Sequence, residues 1–276
     1  MTDILTGNQF TIIGVQVTLN CEDDYLLQTL TSLYSMFETH DENLSGLEYH
    51  IQPRDDGSYS LTRRDPAYSY IADDIGMLVF LLEKDVTIEI QKRRQQYLFL
   101  HSAALAYKGR AILILAASGT GKSTLSWALA QSGFTYLSDE LAPVLPRIGL
   151  VQAYPHALCL KQAPPDSFPL PESVIKTTRT MHIPTDSIPS VAKPDEHFPV
   201  RYVFFLARDP EQQESSVVRL TDSEAAMRLY VNALNQLAHD NAGLSAVANL
   251  AQVFECYGLY TGSLSSSVAL LRGMMD

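Results

Sequence analysis

The chain has 276 residues, of which 46% are hydrophobic and 18% are charged, and its formal net charge is −11. This length and composition are typical of a globular protein with a sizeable core and exclude a largely disordered chain. The acidic balance argues against a nucleic-acid partner or an anionic membrane partner, because both need a basic surface.

Cysteine usage and hydropathy predict where the protein resides. Cys21, Cys159 and Cys256 are too far apart to form a metal-binding spacing or a disulfide framework, which is typical of a reducing compartment. The first residues, "MTDILTGNQF", lack the basic and apolar segments of a signal peptide. The longest apolar run, 77–82, is too short to span a membrane. We therefore expect a cytoplasmic protein without a membrane partner.

Residues 1–95 predict a small α+β region. The β-branched stretch 10–19 is typical of one strand or two short strands. Residues 22–37 predict a helix, because acidic residues come first and the apolar residues then recur at helical spacing. The predicted apolar positions of this helix are Tyr25, Leu26, Leu30, Leu33 and Phe37.

Two further elements are predicted in this region. Residues 47–63 alternate weakly around a turn near Asp56–Gly57 and predict a hairpin. Residues 72–94 predict mainly a helix, since carboxylates stand at its start and cations at its end. Residues 86–90 alternate as a strand would, which leaves the end of this helix open.

The central part of the chain has the strongest pattern. Two apolar stretches, 97–107 and 110–117, predict strands joined by a tight turn at Lys108–Gly109. Residues 121–133 predict a helix that ends at a glycine, and residues 134–140 predict a short strand that ends in acidic residues. The predicted buried face of the helix carries Leu125, Ala128 and Leu129.

Proline is concentrated after this part, with twelve of the fourteen prolines between Pro143 and Pro210. Because proline disfavours long helices, residues 161–199 predict an extended, partly mobile loop region. This region is either a lid or substrate-binding element, or an irregular insertion without a special role, and the sequence leaves both readings open.

The C-terminal part predicts alternating strands and helices. Residues 199–208 predict a buried strand, and the capping box Thr221-x-x-Glu224 begins a helix. Residues 253–274 predict a short strand and a last helix. The apolar face predicted for the helix after Thr221 consists of Met227, Tyr230, Val231, Leu234 and Leu237.

A phosphate-loop (Walker A) pattern, A-x-x-x-x-G-K-S, runs from Ala116 to Ser123. It stands between an apolar strand and an amphipathic helix, which is the context in which this pattern binds a nucleotide. Its glycines let backbone N–H groups turn toward phosphate oxygens, and the start of the helix adds positive potential. The residues expected to bind the nucleotide are Ala117, Ser118, Gly119, Thr120, Gly121, Lys122, Ser123 and Thr124.

Within the loop, Lys122 is expected to bridge the β- and γ-phosphates, and the Ser123 hydroxyl is expected to ligate Mg²⁺. Thr124 either bonds an α-phosphate oxygen or packs. Ala116 replaces the usual first glycine, at a position that needs a small residue more than a positive φ. The expected cofactors are therefore ATP and Mg²⁺, with the choice between ATP and GTP left open.

Asp139 follows Lys122 by seventeen residues, a length that one helix and one short strand use. A right-handed crossover makes the new strand parallel to the strand before the loop, and ligands of such sheets bind at the carboxyl ends of strands. We therefore expect Asp139 beside the phosphates, where it could hold Mg²⁺ or accept a proton from an attacking hydroxyl. The alternative of a capping or surface acid stays open for Asp139, and more so for Glu140.

The turn at Lys108–Gly109 also positions His101. With a two-residue turn there, the numbers of opposed residues sum to 217, so that His101 faces Ala116 at the start of the loop. A lone histidine in an apolar strand is more often structural. This register instead favours a functional role, in contact with Asp139 or with a phosphate.

These residues resemble the C-terminal domain of the HPr kinase/phosphorylase family: a histidine in "LHSAALAYKG", an S-G-x-G-K-S loop, and a strand that ends in "SDE". The tail "ECYGLYTGSLSSSVALL" is similar to HPr kinase-like proteins, which include kinases of peptide natural-product clusters. The resemblance implies an α/β fold with a P-loop kinase core of the HPr kinase/PEP carboxykinase type and a mixed sheet. This core would span 96–276, with the proline-rich insertion 161–199, after the small α+β region.

The resemblance also implies an activity, that of a bacterial kinase which transfers the γ-phosphate of ATP to a hydroxyl, often a serine of a protein or peptide. Position by position, Lys122 and Ser123 bind phosphate and Mg²⁺, and Asp139 is the catalytic acid/base. Glu140 supports the metal or Asp139, and His101 orients this group. Glu140 replaces the second aspartate of the family, and the family's second signature is not recognisable after residue 145, so phosphorylase activity is not implied.

Other readings and partners stay open. One alternative is a regulatory module that binds ATP or GTP and transfers nothing, and another is a kinase of a small-molecule alcohol. The sequence does not identify the protein or peptide acceptor. A homo-oligomer is possible, but the sequence does not establish the oligomeric state. A kinase needs further cations to stabilise the transferring phosphoryl group. Lys161 and Arg179 are the preferred candidates, and the others are Lys176, His182 and Arg201.

Overall fold

The computed structural model describes residues 7–39, 46–208 and 212–276. Over these residues the chain forms a mixed α/β fold with mixed sheets and six α-helices. None of the helices in the described segments combines the length and the apolar character needed to cross a membrane.

The first sheet has five strands in chain order. They are β1 (Asn8–Ile12), β2 (Val15–Cys21), β3 (Leu47–Pro53), β4 (Tyr59–Arg63) and β5 (Tyr68–Ala72). β2 and β3 pair in parallel, and the other neighbours pair antiparallel. The stretch 10–19 is thus two strands, and the predicted hairpin is β3 and β4, whose turn contains Gly57 at a φ of +81°.

Two helices pack on this sheet, α1 (Asp24–Leu33) and α2 (Ile75–Arg93). Asp23 and Asp74 cap them by accepting hydrogen bonds from the N–H groups of the first turn. α2 continues through residues 86–90, so the strand-like alternation there forms no strand. The reason is a buried stripe at helical spacing, made of Leu78, Leu82, Val86 and Ile90.

The rest of the described chain contributes the remaining strands and helices. The strands are β6 (Leu98–Tyr107), β7 (Arg110–Leu115), β8 (Thr135–Ser138), β9 (Leu141–Leu145), β10 (Leu150–Gln152), β11 (Leu158–Leu160), β12 (Ile175–Lys176), β13 (Met181–Ile183), β14 (His197–Arg208), β15 (Ser216–Arg219) and β16 (Glu255–Thr261). The helices are α3 (Lys122–Gln131), α4 (Asp222–Asn232), α5 (Leu244–Val253) and α6 (Leu264–Met275).

The second sheet has the order β10-β9-β6-β7-β14-β16-β15, and β8 also pairs with β6. β14 is parallel to β7 and β16, whereas β6 is antiparallel to β7, β8 and β9. β8 therefore runs in the same direction as β7, as the crossover argument predicts, but β6 lies between them. The carboxyl ends of β7 and β8 lie at the same edge of the sheet.

Alternate residues of the central strands face two different cores, as the period of two in a strand requires. On one face, Leu105 and Ile112 pack in the core that includes α3 and α6. On the other face, Ala104 and Leu113 pack in the core that includes α4 and α5. The second sheet thus lies between two helical layers.

The proline-rich region 161–199 contains regular structure that its composition did not predict. β12 and β13 form a three-stranded antiparallel sheet with β11, and Thr185–Ser187 forms one turn of 3₁₀-helix. β11 and β13 are anchored by Leu158, Leu160 and Ile183, all buried in the core around α3.

Some predicted core positions are exposed. In α1, Tyr25 points to solvent, while the other apolar residues of that face are buried. Most of the face predicted for α4 is wrong, because Met227 and Val231 are 72% and 76% exposed, whereas Tyr230 is half-buried against the core. Leu234 and Leu237 lie beyond the end of the helix and are also exposed. The buried side chains of α4 are Ala225 and Leu229.

Candidate active site

The phosphate-loop segment connects β7 to α3 at the carboxyl end of β7. Gly119 and Gly121 have φ angles of +84° and +106°, a region that favours glycine. A Cβ added at either residue would meet no atom within 4 Å, so the loop borders open space. Gly121 is the N-cap of α3, and no side chain caps this end. The N–H groups of the first turn are therefore available for an anion, and the loop fits phosphate oxygens.

Lys122, the first residue of α3, reaches across this edge to the next strand. Its ammonium group donates a hydrogen bond to the backbone oxygen of Asp139. Burial lowers the pKa of Lys122, while the nearby carboxylates of Asp139 and Glu140 act in the opposite direction. The structure thus brings together Lys122 and Asp139, which were predicted to share this edge.

The Asp139 carboxyl is buried just after β8, and it is 4% exposed. Tyr136 Oη lies 3.0 Å from Oδ1, and the Cys159 N–H donates to Oδ2 at 3.0 Å. Burial raises the pKa of Asp139, although the Lys122 ammonium opposes this change. Asp139 therefore holds a proton more tightly than a surface aspartate does.

The Tyr136 hydroxyl lies between two acceptors. Its oxygen lies 3.0 Å from Asp139 Oδ1 and also 3.0 Å from the His156 carbonyl oxygen. A phenol has one proton to donate, so it cannot donate to two acceptors at once. Its single proton therefore points at one of them at a time, and Tyr136 connects the Asp139 carboxyl with the segment that carries His156.

His101 is half-buried at the end of β6 that adjoins the loop. The register of β6 and β7 follows the predicted sum of 217, from Tyr107–Arg110 to Ser102–Leu115. His101 lies one residue beyond this ladder and pairs with Leu141 of β9 instead. Burial lowers the pKa of His101 and the Lys122 charge lowers it further, while Glu140 raises it. The imidazole is thus kept neutral beside the loop.

The metal-binding candidates are Ser123, Asp139 and Glu140. Glu140 is exposed, and its backbone N–H donates to the Ser138 hydroxyl at 3.3 Å. In the part of the chain that the structure describes, no group of three His, Cys, Asp or Glu side chains could hold a metal ion. Mg²⁺ would instead need the Ser123 hydroxyl, one or two carboxylates and phosphate oxygens, a common arrangement for this ion.

One of the additional cations lies at the loop. Lys161 follows β11, and its ammonium donates to the Ser118 hydroxyl at 2.8 Å. Its charge contributes to the lowered pKa values of both Lys122 and His101. The basic side chains of Lys122, Lys161 and His101 therefore lie together where an anion would bind.

The other candidate cations have different neighbours. Arg179 lies 3.9 Å from Asp74 at the start of α2, and His182 Nε2 lies 2.8 Å from the Thr180 hydroxyl. The Arg201 guanidinium lies over the Tyr202 ring at 4.9 Å. Lys176 is exposed in β12. None of these contacts involves the phosphate loop.

Sequence reasoning missed three residues of this site, Tyr136, His156 and Cys159. Tyr136 precedes Asp139 by three residues in the same strand segment, so its closeness in sequence was an available signal. His156 and Cys159 carry no motif, and their contacts with this region arise from the path of the chain after β10 and through β11.

The comparisons with known proteins add little. No family model matches the chain, and no curated protein matches it. A solved structure, the HPr(Ser) kinase/phosphatase from Coxiella burnetii, is similar with a TM-score of 0.35 and 11% identity, over 64% of this chain and 95% of that one. At this level the similarity by itself assigns neither a family nor an activity.

Proposed function

We propose that the protein is an ATP- and Mg²⁺-dependent kinase that transfers the γ-phosphate to a hydroxyl, most often a serine of a protein or peptide. The proposal includes a P-loop core of the HPr kinase/PEP carboxykinase type and a cytoplasmic location. The observation that carries it is the hydrogen bond from the Lys122 ammonium, at the start of α3, to the main-chain oxygen of Asp139, whose side chain is buried after β8. A phosphate-binding group and a candidate base thus meet at one sheet edge.

Binding of the triphosphate follows from the loop. Backbone N–H groups at the start of α3 have no side-chain cap and would bind phosphate oxygens, while Lys122 and Lys161 would supply positive charge. Mg²⁺, held by Ser123 with Asp139 or Glu140, would neutralise charge that builds up on the phosphates during transfer. His101, which is neutral here, adds no positive charge and can orient its neighbours by hydrogen bonding.

The transfer step requires a base for the acceptor hydroxyl. The acceptor oxygen forms a bond to Pγ while the bond between Pγ and the β–γ bridging oxygen breaks, and ADP leaves. The hydroxyl proton moves to the Asp139 carboxylate. A carboxyl whose pKa is raised by burial is a stronger base than an ordinary aspartate, which suits this role.

One observation favours the alternative of a nucleotide-binding regulatory module. Both carboxyl oxygens of Asp139 already contact protein groups, Tyr136 and Cys159. If these contacts persist when the nucleotide binds, Asp139 orders the loop and accepts no proton. A kinase of a small-molecule alcohol shares all the features of the site with a protein kinase.

The test is incubation with γ-labelled ATP, Mg²⁺ and cell extract, with wild type compared with Asp139→Asn. We expect wild type to transfer the label to a polypeptide. Asp139→Asn should still bind ATP, but its rate of labelling the polypeptide should be lower by about 100-fold or more. Equal ATP binding without label in either protein would support the regulatory module. Label that appears only in small metabolites would support the alcohol kinase.

A further inference from the structure

A series of contacts connects helix α2 with the Asp139 carboxyl. Glu83 of α2 places Oε1 3.1 Å from His156 Nε2, as an ion pair rather than an aligned hydrogen bond. The His156 carbonyl oxygen lies 3.0 Å from Tyr136 Oη, which in turn lies 3.0 Å from Asp139 Oδ1. None of the contacts in this series involves the phosphate loop.

The His156 side chain is held in place by residues from several elements. Its ring lies edge-on to the Tyr34 ring, with centroids 4.7 Å apart, and stacks with Tyr154 at 6.1 Å. The next residue, Ala157, donates its N–H to the Leu33 carbonyl of α1 at 3.0 Å. The segment 154–157 therefore rests on residues of α1 and α2.

The same segment reaches Asp139 by a second route. It leads directly into β11, where the Cys159 N–H donates to Asp139 Oδ2. Tyr154 also donates its N–H to the Leu137 carbonyl at 2.9 Å, two residues before Asp139. A displacement of 154–159 would therefore change the groups that contact both carboxyl oxygens.

We propose that Glu83 and His156 are positioning residues, which hold the Asp139 carboxyl in its orientation through Tyr136 and Cys159. The catalytic consequence rests on the kinase function proposed above, whereas the structural consequence does not. Removal of the Glu83 charge leaves a buried imidazole without its counter-ion, so the ring loses its proton and its contact with α2 is weakened. Because geometry at a reacting group controls rate, a small shift of Asp139 slows transfer without weakening nucleotide binding.

The chain contains a matched control on the same helix. Asp85 is two residues from Glu83, is buried, and accepts from Arg63 Nε at 2.9 Å and from the Tyr49 hydroxyl at 2.6 Å. These contacts join α2 to β3 and β4, and none of them involves His156, Tyr136 or Cys159. Glu83→Gln and Asp85→Asn thus both remove a carboxylate charge from α2, but only the first should reach the site.

The experiment uses the three cysteines as reporters, because selective ¹⁵N-cysteine labelling gives only three amide signals. Hydrogen exchange is followed at Cys159, with Cys21 in β2 and Cys256 in β16 as internal references. In Glu83→Gln we expect the Cys159 amide to exchange about tenfold faster, with Cys256 unchanged. In Asp85→Asn we expect Cys21 to change and Cys159 to keep its wild-type rate.

A kinetic measurement accompanies the exchange. In Glu83→Gln we expect kcat to fall about 10- to 100-fold while the Kd for Mg·ATP stays within about twofold of wild type. Tyr136→Phe, which removes one hydroxyl and leaves α2 intact, should give the same split between kcat and Kd. Glu83→Asp, which keeps the charge, should restore part of the rate.

The proposal would be overturned if the Cys159 amide exchanged at the same rate in wild type and in Glu83→Gln. It would also be overturned if Glu83→Gln and Asp85→Asn changed that rate equally. If Glu83→Gln does not fold, Tyr136→Phe with unchanged kcat and unchanged Cys159 exchange would overturn it in the same way. Faster Cys159 exchange in Glu83→Gln, in a protein whose wild type transfers no phosphate, would support the positioning and reject the kinase function.

Discussion

The ammonium group of Lys122 hydrogen-bonds to the main-chain carbonyl of Asp139, so the phosphate loop and the strand that carries the acidic pair are directly connected. If the proposed nucleotide binds, its phosphates compete with that carbonyl for the ammonium. Lys122 is thus both a predicted ligand of the phosphates and a present contact of the candidate base.

The first prediction concerns this lysine. Lys122→Met should weaken Mg·ATP binding about 100-fold or more, because it removes a buried charge that would contact two phosphates. Isothermal titration of ATP into each protein measures this effect. Lys108→Met, in the exposed turn at the opposite end of β7 from the loop, serves as the control and should bind ATP as wild type does. Unchanged ATP affinity in Lys122→Met would count against the whole site.

The second prediction separates Lys161 from Lys122. Lys161 contacts the loop only through the Ser118 hydroxyl, so we expect Lys161→Met to weaken ATP binding about tenfold. The loss should be smaller for ADP, because the ligand with more negative charge gains more from each cation. The ratio of the ATP and ADP affinities, compared between wild type and Lys161→Met, measures this difference. Lys176→Met, in the same proline-rich region, should leave the ratio unchanged.

The third prediction is a pH dependence of stability. Burial alone would lower the pKa of His156, but the Glu83 carboxylate, with a contribution from Asp139, raises it above its usual value. Burial alone would raise the pKa of Glu83, but His156, with a smaller contribution from His182, lowers it. The histidine term is present below about pH 6.5 and is lost as the pH rises through the raised pKa. The glutamate term is present above about pH 4.5 and is lost as the pH falls through the lowered pKa.

The ion pair should therefore contribute most to stability between about pH 4.5 and 6.5. The free energy of unfolding by urea, measured for wild type and Glu83→Gln, tests this window. The difference between the two proteins should be largest near pH 5.5 and should shrink toward pH 9. A difference that stays constant over this range would show that the pair does not ionise as proposed.

The fourth prediction contrasts two residues of α4. Leu229 is fully buried, so Leu229→Ala should lower the free energy of unfolding by about 2–5 kcal/mol through lost packing and a cavity. Val231 is 76% exposed, and Val231→Ala should change the free energy of unfolding by no more than about 0.5 kcal/mol. Urea denaturation of both variants measures the contrast. A large loss for Val231→Ala would indicate that this surface is covered, for example by a second copy of the chain.

The features that depend on residues close together in sequence were predicted better than those that depend on contacts between distant segments. The register that places His101 near the loop depends on one turn at Lys108–Gly109, whose residues both have positive φ, and the ladder follows from it. The direction of β8 follows from one helix and a short strand. Both features depend on residues close together in sequence.

The parts that could not be predicted depend on contacts between distant segments. Lys161 reaches Ser118 only because β11 packs against α3, and no periodicity in the sequence encodes that packing. The α4 face was misassigned because most of the large apolar residues in and after this helix lie outside the buried pair Ala225 and Leu229. Hydrophobicity ranked these side chains correctly, but burial also depends on how closely the helix approaches the sheet.

The core of the first sheet has a consequence for how this protein can be divided. That core includes Tyr97, Phe99, Leu141, Tyr154 and Ala157, which all follow the boundary near residue 95 drawn from the sequence. A fragment that begins at residue 96 would expose these five side chains to water and would leave His156 without Glu83. The phosphate loop would be intact in such a fragment, yet its solubility and the order around Asp139 would both be reduced. Work on the part of the chain that contains the phosphate loop therefore needs α1 and α2 to be kept.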